Sequence, residues 1–62
     1  MVTIDIGSRV EIIGGDHWAR SGVLTGRRMH DGETYLTVRL DKALPCGDRF
    51  VVVVEQHVRP AE

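Results

Sequence analysis

The side chains in this chain best suited to gripping a ligand are one tryptophan, one tyrosine and several arginines. Asp16-His17-Trp18-Ala19-Arg20 places the only tryptophan beside His17 and Arg20 in a segment that reads as a loop, where binding groups concentrate. An indole offers a π-face for a base or a guanidinium, and Arg20 has the reach and charge for a phosphate. The opposing reading is that Trp18 folds over the end of a small core and completes it with its large apolar area. A second group, Arg28, Tyr35, Thr37 and Arg39, falls on one face of a two-stranded ribbon. An aromatic ring flanked by guanidinium groups suits single-stranded nucleic acid; the opposing reading is a cation–π pair on a solvated sheet face.

Catalytic chemistry has little to work with. The sequence holds no nucleophile elbow, no phosphate-binding glycine loop and no paired metal-ligand spacing, and His17, His30 and His57 lie far apart. Cys46, between Pro45 and Gly47, has no basic cluster nearby to activate it and reads as an ordinary thiol. Arg9 and Glu11 alternate with apolar neighbours and read as a solvated face. His30 opposite Glu33 reads as a surface pair. The expectation is a non-enzyme with no catalytic residue, metal or cofactor.

Sixty-two residues make a single domain spanning 1–62, and a chain this short buries only about 60% of the surface its unfolded form exposes. Such scaffolds rely on a staple, a metal, a partner subunit or very regular packing. One cysteine makes no internal disulfide, so regular packing and self-association remain. Eight basic residues, seven of them arginine, stand against nine acidic ones for a formal net charge of −1. Indiscriminate nucleic-acid binders carry a clear positive excess, so binding here requires the arginines to gather on one face. There is no run of 18 apolar residues and no basic leader before an apolar core. With a lone thiol, the expectation is a cytoplasmic protein without membrane contact.

The elements that must position these side chains are strands. Gly7, Gly14-Gly15, Gly22, Asp31-Gly32 and Pro45-Cys46-Gly47-Asp48 cut the chain into short runs rich in Val, Ile, Thr and Tyr. No window carries helical spacing. Strands are predicted over Arg9–Ile13, Ser21–Met29, Thr34–Leu40, Arg49–Val54 and Val58–Arg59, with Val2–Ile6 as an extra edge segment and Glu55-Gln56-His57 as a 3₁₀ turn. Asp31-Gly32 predicts a two-residue hairpin, from which His30 pairs with Glu33, Arg28 with Tyr35, Gly26 with Thr37 and Thr25 with Val38. That register puts Val23, Thr25, Arg27, Met29, Thr34, Leu36, Val38 and Leu40 on the core side unless a bulge intervenes. Phe50-Val51-Val52-Val53-Val54 is apolar on both faces; either a loop covers its outer side or another chain does. Phe50, Val51 and Val53 are the candidate self-association residues.

Gly7-Ser8-Arg9-Val10-Glu11-Ile12-Ile13-Gly14-Gly15, a short loop and then Ser21-Gly22-Val23-Leu24 resemble the KOW motif of ribosomal proteins and transcription elongation factors. Gly15 and Gly22 match its first and third loop glycines. Ala19 stands where the middle glycine is expected, and because alanine tolerates positive φ poorly, a different loop shape is predicted. The motif covers Gly7 to Leu24, and a looser SH3-like resemblance extends over nearly the whole chain. It implies a small five-stranded SH3-like barrel with a 3₁₀ turn before the last strand. It also implies contacts to RNA, DNA or a protein of the transcription or translation apparatus, with His17, Trp18, Arg20, Arg28, Tyr35 and Arg39 as contact residues. The alternative is a protein-interaction or homo-oligomerisation module pairing through Phe50–Val54. Third is an oligomeric barrel enzyme similar to type II dihydrofolate reductases, whose Val-Gln-Ile-Tyr signature is replaced here by Val52-Val53-Val54-Glu55.

Overall fold

The computed structural model describes residues 4–61. Five antiparallel strands form one sheet, β1 (Arg9–Ile12), β2 (Ser21–His30), β3 (Glu33–Leu40), β4 (Phe50–Val54) and β5 (Val58–Pro60), in the spatial order β4-β3-β2-β1-β5. Among the described residues the only other regular pieces are 3₁₀ turns at Gly15–His17 and Glu55–His57, so the all-β expectation holds. The predicted edge segment Val2–Ile6 does not form over its described part: Ile4 and Asp5 are irregular and Ile6 lies in a turn, while Val2 and Thr3 lie outside the described residues. Ile4 nonetheless buries its side chain in the core, and its carbonyl accepts a hydrogen bond from the Arg27 guanidinium.

The β2–β3 hairpin turns at Asp31-Gly32, both with positive φ (51° and 80°), as the two-residue turn matching strand twist requires. The predicted register holds from His30↔Glu33 to Gly26↔Thr37. It then slips by one: Val38 faces Leu24 rather than Thr25, Arg39 faces Val23, and Leu40 faces Gly22. Thr25 is the extra residue of a bulge, its hydroxyl donating to the Thr37 carbonyl (3.2 Å).

The bulge has a packing cause. The first part of β2 pairs with both β1 and β3, the last part with β3 alone. Adding one residue between them turns Leu24 into the core, where it is fully buried. Val23 and Thr25, predicted inside, are therefore displaced, Val23 to a half-buried site and Thr25 to the surface. Met29 is also outside (69% exposed), because the hairpin tip outruns the core.

That core is aliphatic throughout: Val10, Ile12, Leu24, Leu36, Val38 and Leu40 at its centre, with Ile4, Val51, Val53 and Val58 around them and Leu44 packed against the rim. Gly22 lies in close contact with the β3 backbone. A methyl there would meet the Arg39 carbonyl carbon at 2.8 Å and Leu40 Cα at 2.9 Å, with the Arg39 carbonyl oxygen closer still.

Candidate functional site

Alternation along β3 sends Leu36, Val38 and Leu40 inward and Glu33, Tyr35, Thr37 and Arg39 outward. The outer residues can be laid out row by row from the registers of β2 and β4 against β3. Arg28, Tyr35 and Val54 form one row; Gly26, Thr37 and Val52 the next; Val23, Arg39 and Phe50 the third. The middle row is low, since Gly26 has no side chain. A cleft of about 460 Å³ opens over it, lined by Gly26, Arg27, Arg28, His30, Tyr35, Thr37 and Val52.

One member of the self-association set, Phe50, thus shares a surface with the basic-aromatic set. Arg28 and Tyr35 sit directly opposite each other at the cleft, and Arg39 lies on the same face two rows away, opposite Val23 and outside the cleft lining. Beside them lie Phe50 and Val52, exposed at 59% and 64%. Val51 and Val53, expected to offer side chains to a second copy, are instead buried at 6% exposure each: they share the phase of Val38 and Leu36, their inward-pointing partners on β3. No loop among the described residues hides the outer side of β4, so its exposed apolar members are Phe50 and Val52.

Several charges elsewhere are already spent. Arg9 pairs with Asp41, and Arg59 with Glu11 directly across the β1–β5 ladder (3.0 Å). Among the described residues, Arg20, Arg28, Arg39, Lys42 and Arg49 have no carboxylate within ion-pair distance, and two of them stand on the outer face. His30 pairs with Asp31 (3.2 Å) rather than Glu33. Glu33 accepts from the Tyr35 hydroxyl (3.1 Å), and that hydrogen bond with the nearby carboxylate charge holds the phenol above its ordinary pKa. The Tyr35 ring is thereby fixed at one end and half-buried, leaving part of its face to a ligand.

On Asp41, the hydrogen bond from Arg9, supported by the positive charge of Arg9 and Arg39, holds the carboxyl below its ordinary value of 3.8. A depressed folded-state pKa adds stability that is complete above the unfolded value and is lost as pH falls through the folded one. Asp41→Asn is therefore expected to melt slightly below the parent at pH 7. The gap should close as pH drops beneath 3.8, which thermal melts at stepped pH would show; a gap independent of pH would contradict the assignment.

The loop between β1 and β2 is a separate place. Trp18 is 68% exposed, so it does not complete the core. His17 and Arg20 are half-buried, and Arg20 lines a smaller cleft of about 240 Å³ with Ala19, Ser21, Leu40, Asp41 and Lys42. From Ser21 to Arg28 is seven residues of strand, roughly 23 Å at about 3.3 Å each, so His17, Trp18 and Arg20 lie at the opposite end of β2 from Arg28 and Tyr35. Of the six candidates, Arg28 and Tyr35 therefore lie toward one end of β2, His17, Trp18 and Arg20 at the other, and Arg39, opposite Val23, nearer the latter.

Loop shape follows from three backbone positions. Gly15 has φ +79°, and the His57 ring lies over the glycine pair, 2.9 Å from where a Gly14 methyl would stand. His57 packs against this turn, helped by Ile13 N–H donating to the His57 carbonyl (2.7 Å). Ala19 has φ 67°, so the alanine takes the left-handed conformation the sequence expectation denied it. Its N–H donates to the Ile12 carbonyl and Ile12 N–H donates to the Arg20 carbonyl, both at 2.8 Å, and those bonds hold the strained residue in place. Ala19→Gly should relieve that strain, raising stability by about 0.5–1 kcal/mol and the melting temperature by about 4 °C; a lowered melting temperature would contradict it.

Among the described residues no three His, Cys, Asp or Glu side chains converge as metal ligands, and no helix is long and apolar enough to cross a membrane. No protein-family model matches the chain, and neither a curated protein nor a solved structure was found to match it.

Proposed function

We propose that this protein is a KOW-like, SH3-like barrel module that binds single-stranded nucleic acid on the outer face of β2, β3 and β4. The observation that carries the reading is the placing on one face of Arg28 and Arg39, neither with a carboxylate within ion-pair distance among the described residues, with Tyr35 and Phe50 on the rows either side of Gly26–Thr37. Bases stack on Tyr35 and Phe50, while Arg28 and Arg39 take the flanking phosphates. The charge balance is near zero over the chain; Arg9 and Arg59 are held in ion pairs, whereas Arg28 and Arg39 have no carboxylate within ion-pair distance among the described residues, with Glu33 sharing their face.

The barrel reading is supported by the strand order β4-β3-β2-β1-β5, the 3₁₀ turn before the last strand and the bulge in β2, in a sheet whose edge strands β4 and β5 do not pair with each other among the described residues. Trp18 and Arg20 form an accessory contact at the far end of β2, suited to a longer strand or a protein of the transcription or translation apparatus. A cytoplasmic setting fits the single exposed thiol, Cys46.

Titration of labelled oligo(dT) and oligo(rU) at two salt concentrations tests the proposal. Two phosphate contacts predict a log–log salt slope of about −1.4, so binding should weaken about sevenfold for a fourfold rise in salt. Absence of binding at low salt would overturn it.

A further inference from the structure

The two edges of the sheet are built differently. β5 is three residues long, ends in Pro60 and carries Arg59 tied to Glu11; it is blunted as edge strands normally are. β4 is five residues, all apolar, with no proline or charge, and nothing among the described residues pairs with its free side. The phase of that free side is fixed. Leu40 N–H donates to the Arg49 carbonyl (2.7 Å), which makes Leu40/Arg49, Val38/Val51 and Leu36/Val53 the hydrogen-bonded pairs of the β3–β4 ladder. Phe50, Val52 and Val54 therefore direct their N–H and C=O groups away from the sheet.

We propose that β4 pairs antiparallel with β4 of a second copy about a two-fold axis at Val52. In that register Val52 faces its own equivalent, and Phe50 faces Val54 of the other copy. Every outward N–H and C=O then meets one of the same phase, and Phe50 and Val52 are flanked at the strand edge by Val54 and Val52 of the other copy, their outer side staying open.

The charges at the ends of the strand select this register over its neighbours. Arg49 immediately precedes β4 and Glu55 opens the 3₁₀ turn that follows it, and neither has an ion partner among the described residues. Centring on Val52 brings Arg49 of each copy to Glu55 of the other, twice. Shifting the centre to Val51 or Val53 keeps the backbone phase but loses both charge pairs and shortens the overlap. Charge pairing of this kind acts more on register and partner choice than on affinity. The dimer stands independently of nucleic-acid binding, and it sets the two outer faces side by side in one continuous sheet.

Sedimentation equilibrium without nucleic acid, from about 0.01 to 1 mM, covers the range where so small an interface associates. A reversible monomer–dimer equilibrium is expected. Val52→Lys, at an exposed position, should place two ammonium groups on the axis and weaken association at least tenfold while leaving the circular dichroism spectrum unchanged. Arg49→Glu and Glu55→Arg should each weaken self-association, and an equimolar mixture of the two should recover it as a heterodimer with both end pairs restored. A monomer at every concentration, or a dimer indifferent to Val52→Lys and to the mixing, would overturn the proposal without touching the oligonucleotide titration.

Discussion

Gly22→Ala is expected to unfold the protein outright. The added methyl would collide with the Arg39 carbonyl group and Leu40 Cα, which are main chain and cannot swing aside as a flexible side chain does. Gly22 sits between Val10 on β1 and Leu40 on β3, where β2 is held on both sides, so relief requires prising the sheet apart. Overpacking alone costs about 1–3 kcal/mol when side chains can adjust, and here they cannot. A 62-residue domain has only about 3–9 kcal/mol in total. Far-ultraviolet circular dichroism and a thermal melt of the variant test this directly. A cooperative transition within about 5 °C of the parent would show that the β2–β3 approach is looser than described. Gly26→Ala makes the control: its nearest neighbours are Thr37 Cβ and Oγ1 at 3.7 and 3.8 Å, ordinary contact, so it should fold while raising the floor of the outer cleft.

The second large effect concerns binding. Arg28→Ala combined with Arg39→Ala should weaken oligonucleotide affinity roughly a hundredfold, taking about 1.5 kcal/mol for each hydrogen bond to a charged phosphate. It should also flatten the salt slope from about −1.4 toward zero, since no phosphate charge would remain neutralised on the outer face. Both side chains are exposed, and neither is in an ion pair among the described residues, so stability should hardly move. Arg9→Ala, which removes a guanidinium already committed to Asp41, should leave affinity within about twofold. A double variant that keeps the parent's slope would mean that the phosphates are held elsewhere, with Arg20 and Lys42 at the opposite end of β2 the first place to look.

How far the sequence carries the structure depends on which residues are asked. Asp31-Gly32 is unambiguous because few residues accept two consecutive positive φ angles, and the hairpin counted from it is right for its first five pairs. The count fails at Thr25, where no residue signals the bulge. What forces it is the need of Leu24 to reach a core shared with Val10 and Ile12 of β1, a tertiary demand that local pattern does not express. Phe50–Val54 failed for the opposite reason. Five consecutive apolar residues contain no polar position to mark the phase, so Val51 and Val53 were read as partner-facing when pairing with Leu36 and Val38 turns them inward. Trp18 could be placed in a loop from its neighbours, but whether it folds back or stands out is decided by the backbone at Gly15 and Ala19. The outer-face stripe of Arg28, Tyr35 and Arg39 was legible because all three lie on strands whose phase the hairpin sets. Its neighbours Phe50 and Val52 were not, since nothing in the loop from Asp41 to Arg49 reveals which strand β4 joins.

The most direct trial of the outer face as the binding surface is a ¹⁵N-labelled titration with oligo(dT) at low salt, followed amide by amide. Shifts concentrated at Arg28, Tyr35, Thr37, Arg39, Phe50 and Val52, with Glu11 and Arg59 on β1 and β5 still, are what the account predicts. Shifts confined to the Gly15–Arg20 loop, or spread evenly over the charged surface, would contradict it.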